Sequence, residues 1–146
     1  MEKTDSQNIQ FRIIGIEKLQ YATFDVGEVV EDDIAINSDF GFGLDHENSI
    51  VACQYKVQLL SKKKLFIVIE VACLFEIKES SLKKLKVRNK KQYSFPRHFM
   101  KNLTEITIST TRGVLFEKAE GNKYQKFILP LIELKEVFSE DLLIEY

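Results

Sequence analysis

Asp45-His46-Glu47 sets an imidazole between two carboxylates, the residue types of general acid–base chemistry. Ser109-Thr110-Thr111 offers three hydroxyls, any of which could act as a nucleophile beside a suitable base. Phe40-Gly41-Phe42-Gly43 has the glycine content of a phosphate-binding loop. Each pattern is incomplete. A phosphate loop runs into a helix bearing Lys and Ser or Thr, whereas Leu44-Asp45-His46-Glu47 follows here. Neither His46 nor His98 is spaced to activate the hydroxyl run, and Asp32-Asp33 reads as a solvated turn. Cys53 and Cys73 form no Cys-x-x-Cys pair, and the two histidines are not spaced to complete a metal site with them. The expectation is a non-enzyme with no metal and no cofactor, in which both cysteines are small buried hydrophobes.

The elements around these residues are mostly strands. Residues 11–30 are rich in Ile, Val, Tyr, Thr and Phe and read as one long strand, bent near Gly15. Along 34–44, Ile34, Ile36, Phe40, Phe42 and Leu44 share one face. Val51, Cys53, Tyr55, Val57 and Leu59 alternate with Ala52, Gln54, Lys56 and Gln58; beyond Ser61-Lys62-Lys63-Lys64, Ile67, Ile69, Val71, Cys73 and Phe75 alternate with Val68, Glu70, Ala72 and Leu74. These two runs predict an antiparallel hairpin. Keeping its apolar sets together pairs odd residues with odd. The register with Tyr55 opposite Val71 also sets Lys56 opposite Glu70, a cross-strand pair of about 0.2–1 kcal/mol. It places Cys53 across from Cys73, where a strained disulfide geometry predicts two free thiols.

Residues 79–94 read as a polar, basic connection with one helical turn at Leu82–Leu85. A long helix is expected from Phe95-Pro96 to Gly113, with Gly113 as a left-handed stop. Residues 114–129 read as two strand-like segments or a loop around Gly121. Pro130 should open a last helix, because Leu131, Leu134, Val137, Phe138 and Leu142 are spaced along one helical stripe. The fold class is therefore α+β, a four-stranded antiparallel sheet covered on one face by two helices. The organisation is a flexible N-terminus over 1–9 and one domain over 10–146.

The chain has 146 residues, 45% of them hydrophobic, and a net charge of -1, so no global field selects nucleic acid or an anionic membrane. Locally, 28–47 is acid-rich and 83–92 is basic. Lys83–Lys91 is the best nucleic-acid candidate, but a solvated connection with Leu82, Leu85 and Val87 tucked inward fits better, because the chain lacks a matching basic surface. No apolar run is long enough to span a bilayer and no charged-then-apolar leader begins the chain, so the expectation is a cytoplasmic protein without membrane insertion. Apolar surface remains to be explained. The even-numbered face of the hairpin carries Ile50, Ala52, Phe66, Val68, Ala72 and Leu74, and one layer of helices covers only the other face. Apolar patches of that size mark association or ligand binding, so a homo-oligomer and a hydrophobic polypeptide partner are expected.

Three strings resemble the SecB export-chaperone family, which includes members associated with toxin–antitoxin pairs. The hairpin Ser49–Glu79, with its Glu70-Val71 step and its Phe75-x-Ile77 ending, is similar to that family's third and fourth strands. Phe95-Pro96 through Arg112-Gly113 resembles its long helix, and Pro130 onward its final helix. The resemblance implies ATP-independent holding of unfolded polypeptides, in a dimer or tetramer assembled around the long helix. It implies client-binding grooves lined by Phe40, Phe42 and Leu44, with Phe75 and Ile77 nearby. It also implies delivery to the ATPase SecA through Val68 and Glu70. Along the helix, Phe99, Leu103, Thr107 and Thr111 are the expected oligomer interface, with Phe99, Leu103 and Ile106 also making the seam to the sheet and Thr107 and Thr111 the close subunit approach. The near-neutral charge departs from the acidic character of that family. A module dedicated to one partner, such as an antitoxin, or a structural oligomer are the alternatives.

Overall fold

The computed structural model describes residues 8–134 and 137–146. Four long strands are β1 (Phe11–Thr23), β2 (Ile34–Asp45), β3 (Ile50–Ser61) and β4 (Lys64–Ile77). They form one antiparallel sheet in the order β1-β4-β3-β2, which leaves β1 and β2 as edges. A short helix α1 (Glu79–Lys84) leads to β5 (Gln92–Phe95), the long helix α2 (Arg97–Lys118) follows, and β6 (Leu142–Glu145) pairs antiparallel with β5.

The hairpin register is the expected one: Tyr55 opposes Val71, Lys56 opposes Glu70, and Cys53 opposes Cys73, both of them free thiols. Its turn places Lys62 and Lys63 at φ 49° and 67°, the two positive angles of a primed turn that matches strand twist. Odd residues of β3 and β4 face the helices. Val51, Cys53, Phe75 and Ile77 form one core cluster with Leu82 and Leu85 after β4 and with Phe99, Met100 and Leu103 of α2. Tyr55, Val57, Ile67, Ile69 and Val71 form a second with Ile108, Leu115, Tyr124, Leu129 and Leu134. The long helix α2 covers this face over β3 and β4, while the six-residue α1 adds only Leu82 to the first cluster.

Strand-preferring residues build α2 because their hydroxyls are satisfied within the helix. Thr104, Thr107, Thr110 and Thr111 each donate to the carbonyl four residues back, at 2.7–2.9 Å. Bonded in this way, Thr104, Thr107 and Thr111 can be buried without leaving a polar group unpaired, and their small size lets the helix lie close on β3 and β4.

Several expectations fail for identifiable reasons. The first strand ends at Thr23, and the chain turns through Gly27 at φ 82° instead of running on to Val30. Gly113 does not stop α2. The helix continues to Lys118, and no other residue crowds the glycine. Residues 114–118 are thus helical, and the loop with a positive-φ Gly121 comes later. No helix starts at Pro130 among the described residues: 129–134 are irregular and 142–145 form β6; Lys135 and Glu136, which fall in the expected helix, lie outside those described. The expected flexible N-terminus lies outside them over residues 1–7, while Ile9 already packs on the first cluster. The basic connection contains a strand after all, β5, whose Tyr93 and Phe95 are buried.

The open face of the sheet is also less apolar than expected. A bulge between Leu59 and Leu60 turns Phe66 to the helix side, where it meets Tyr124 and Phe127. Val68 and Ala72 are small and lie buried in the central strand. Exposed apolar residues concentrate instead on the edge strand β1, at Ile13, Ile14, Ile16 and Leu19.

Candidate client-binding surface

The helix-facing side of β2 presents Ile34, Ile36, Phe40, Phe42 and Leu44, all half-buried. They alternate with exposed residues along an edge strand, so one flank of this apolar row has no further strand beside it. Phe40 stacks on Tyr55 at 5.1 Å, and Tyr55 shares a 2.8 Å hydrogen bond with Ser38. The segment after α2 lies over this row. Ile34, Ile36 and Leu59 form a cleft of about 370 Å³ with Phe127, Ile128 and Pro130, and Glu31 and Lys126 supply its charges. Further along, Phe138 meets Phe42 edge-on at 6.0 Å.

Arg112 fastens that covering segment. Its Nε donates to the Leu129 carbonyl at 2.6 Å and its second terminal nitrogen to the Pro130 carbonyl at 3.0 Å. Arg112 therefore tethers the chain that follows the helix, and Gly113 does not end the helix.

The expected client contacts separate into two groups. Phe40, Phe42 and Leu44 lie together on β2 beside the cleft. Phe75 and Ile77 do not line it: they are 0% and 1% exposed, sealed in the core two strands away. Leu44, Val51 and Phe75 nevertheless form one row across the sheet, so the apolar floor is continuous beneath the helices. On the opposite face Glu70 sits between Gln20 and Lys56, and Val68 is 3% exposed between Ala22 and Gln58. Phe99, Leu103, Thr107 and Thr111 all point into the protein's own core. The outward face of α2 is a different set: Asn102, Glu105, Ile106, Ser109 and Thr110 border a shallow depression, and Phe116 is exposed beyond them.

The remaining chemical candidates resolve into structural contacts. His46 stacks on Tyr146 with ring centroids 4.0 Å apart, and its Nδ1 lies 3.0 Å from the Tyr93 hydroxyl. Asp45 instead accepts from the amide and side chain of Asn48, and these bonds hold its carboxyl below the usual range. Burial pushes the Cys53 thiol up, toward the unreactive neutral form. No group of three or more His, Cys, Asp or Glu is placed to hold a metal among the described residues. The cations from Lys83 to Lys91 are exposed, and Leu82 and Leu85 are buried as the solvated-connection reading expects. No helix among the described residues is long and apolar enough to cross a membrane. The β5–β6 ribbon was not expected; its signals are the alternation of Tyr93 and Phe95 with Gln92 and Ser94 and of Leu142 and Ile144 with Leu143 and Glu145.

No family model matches the chain, and no curated protein matches it. The fold is SecB-like: it is similar to the SecB-like chaperone Rv1957 of Mycobacterium tuberculosis, solved in complex with a ChAD peptide from the HigA1 antitoxin. The similarity has a TM-score of 0.53 at 11% identity and covers 84% of this chain and 88% of that one. At that identity the likeness is one of fold.

Proposed function

We propose that this SecB-like chain is an ATP-independent chaperone that holds unfolded, hydrophobic polypeptide on the helix side of β2. One observation carries the reading: a row of half-buried apolar side chains on an edge strand, with an open cleft roofed by an irregular segment. An extended client can meet such a row with every second side chain while its backbone stays solvated or adds to the edge. Phe40, Phe42 and Leu44 are the client contacts in this reading, and Phe75 and Ile77 support them from the core.

The test is dilution of a chemically denatured, slowly folding protein into buffer, with aggregation followed by light scattering. A stoichiometric amount of the chaperone should delay aggregation without nucleotide. Unchanged scattering would overturn the reading.

A second reading is a chaperone dedicated to one partner, and the antitoxin peptide carried by the similar structure favours it. Holding of one polypeptide and not of a panel of denatured proteins would select it. Delivery to a SecA-type ATPase through Val68 and Glu70 has less support, because Val68 is covered and Glu70 faces Lys56. Self-association belongs to the proposal as well, through the apolar edge of β1 and the outward face of α2 rather than through Thr107 and Thr111.

A further inference from the structure

Residues 137–146 run from beside Phe42 of β2 to a pairing with β5. Phe138 packs against both core clusters and touches Phe42. Leu142 and Ile144 then turn inward as β6 pairs with β5, while Leu143 and Glu145 face out. Tyr146 continues the strand, its N–H donating to the Lys91 carbonyl at 3.0 Å and its ring filling a slot against His46 and Tyr93. This is an extended segment with alternating apolar residues and an aromatic end, the chemistry of the client itself.

Its backbone ladder is short. β5 and β6 are four residues each, against twelve for β2 and for β3, and a two-stranded ribbon is at best marginally stable in isolation. Besides that ladder, Arg97 holds the segment by its N–H to Asp141 and its guanidinium to the Ser139 carbonyl, both at exposed positions. Its inward side chains Phe138, Leu142, Ile144 and Tyr146 are half-buried and not sealed, and elements with short ladders and exposed hydrogen bonds open first.

We propose that residues 137–146 occupy in cis a second stretch of the client path, and that β5 accepts an extended client segment in place of β6. The client fitted to this position alternates apolar and polar residues and places an aromatic ring on His46 and Tyr93. Displacement of the segment also uncovers Phe42 and joins the β5 edge to the β2 row as one longer groove. This inference rests on the proposed holding function.

The experiment locks β6 in place. Ser94 and Leu143 are directly paired across the ribbon and neither is buried, so Ser94→Cys with Leu143→Cys can be bridged by a short bis-methanethiosulfonate linker, which spans the pair without the strain of a direct disulfide, and reopened by reductant. The probe is fluorescently labelled, reduced and carboxymethylated α-lactalbumin, which stays unfolded. Closing the lock should weaken its binding by about tenfold or more, and reduction should restore it. Tyr146→Ala, which keeps the strand but empties the aromatic slot, should tighten binding. Equal affinity with the lock open and closed, in a protein whose wild type binds the probe, would overturn the inference and leave the holding function standing. Failure of the wild type itself to bind would overturn both.

Discussion

Arg112 Nε lies 2.6 Å from the Leu129 carbonyl oxygen, a charge-assisted bond between the long helix and the segment that roofs the β2 row. With the second bond to Pro130, it fixes where the chain goes after α2. Arg112→Ala should cost about 1.5–3 kcal/mol, the range for hydrogen bonds to charged groups. The midpoint of denaturant unfolding measures that cost, and faster amide exchange confined to 127–134 would locate it. Arg112→Lys should recover only part, since an ammonium cannot reproduce the two-pronged geometry.

Gly113 lies inside α2 with no other residue crowding the position of a Cβ, so the monomer alone gives no reason for a glycine. Gly113→Ala should therefore stabilise the isolated subunit by about 0.5–1 kcal/mol. The same substitution should weaken self-association if another subunit lies close against Ser109 and Gly113. Thermal unfolding and sedimentation of the same sample separate the two effects.

Burial raises the titration of Cys53 above its ordinary 9.0 and of Tyr21, Tyr55 and Tyr93 above 10.0. The folded state therefore keeps protons that the unfolded chain releases. Stability should be fully present below about pH 9 and decline as pH rises past the ordinary values toward the folded ones. Urea midpoints from pH 7 to 11 test the slope. Tyr55→Phe, which removes the hydroxyl bonded to Ser38, should flatten it above pH 10.

These residues also show what the sequence could and could not convey. The hairpin register was legible because alternation limited the choices and Lys56 opposite Glu70 selected one. The identity of the open face was not, because the bulge at Leu59 and Leu60 reversed Phe66, and alternation cannot signal an extra residue. The inward direction of Thr107 and Thr111 was hidden too, since intrahelical bonding makes a threonine compatible with burial or exposure. Leu131, Leu134, Val137, Phe138 and Leu142 keep helical spacing, yet of these only Leu134 is buried and Leu131 is 90% exposed. Helical spacing shows which residues would share a face if a helix formed. It does not show that some surface is there to receive that face, and among the described residues of this segment 131–134 are irregular and 142–145 form β6. Phe40, Phe42 and Leu44 were legible as a row, whereas the cleft beside them depends on Phe127 and Ile128, more than eighty residues away.

On the edge strand β1, Ile13 pairs with Phe75 and Ile16 with Cys73, which puts both on the helix side of the sheet. They are nevertheless 46% and 54% exposed, because the helix lies over β3 and β4 and stops short of them. Irregular register between Ile13 and Gly15 and again between Lys18 and Gln20 adds Ile14 and Leu19 to the same exposed edge. A long apolar edge of this kind pairs with another chain unless something blocks it. Ile16→Lys places a charge on that edge without emptying a core position, so the fold should remain while the proposed self-association is lost. Sedimentation velocity reads the mass, and far-ultraviolet circular dichroism checks the fold. An unchanged oligomer with native dichroism would move the subunit contact to the outward face of α2, where Phe116→Lys should then dissociate it.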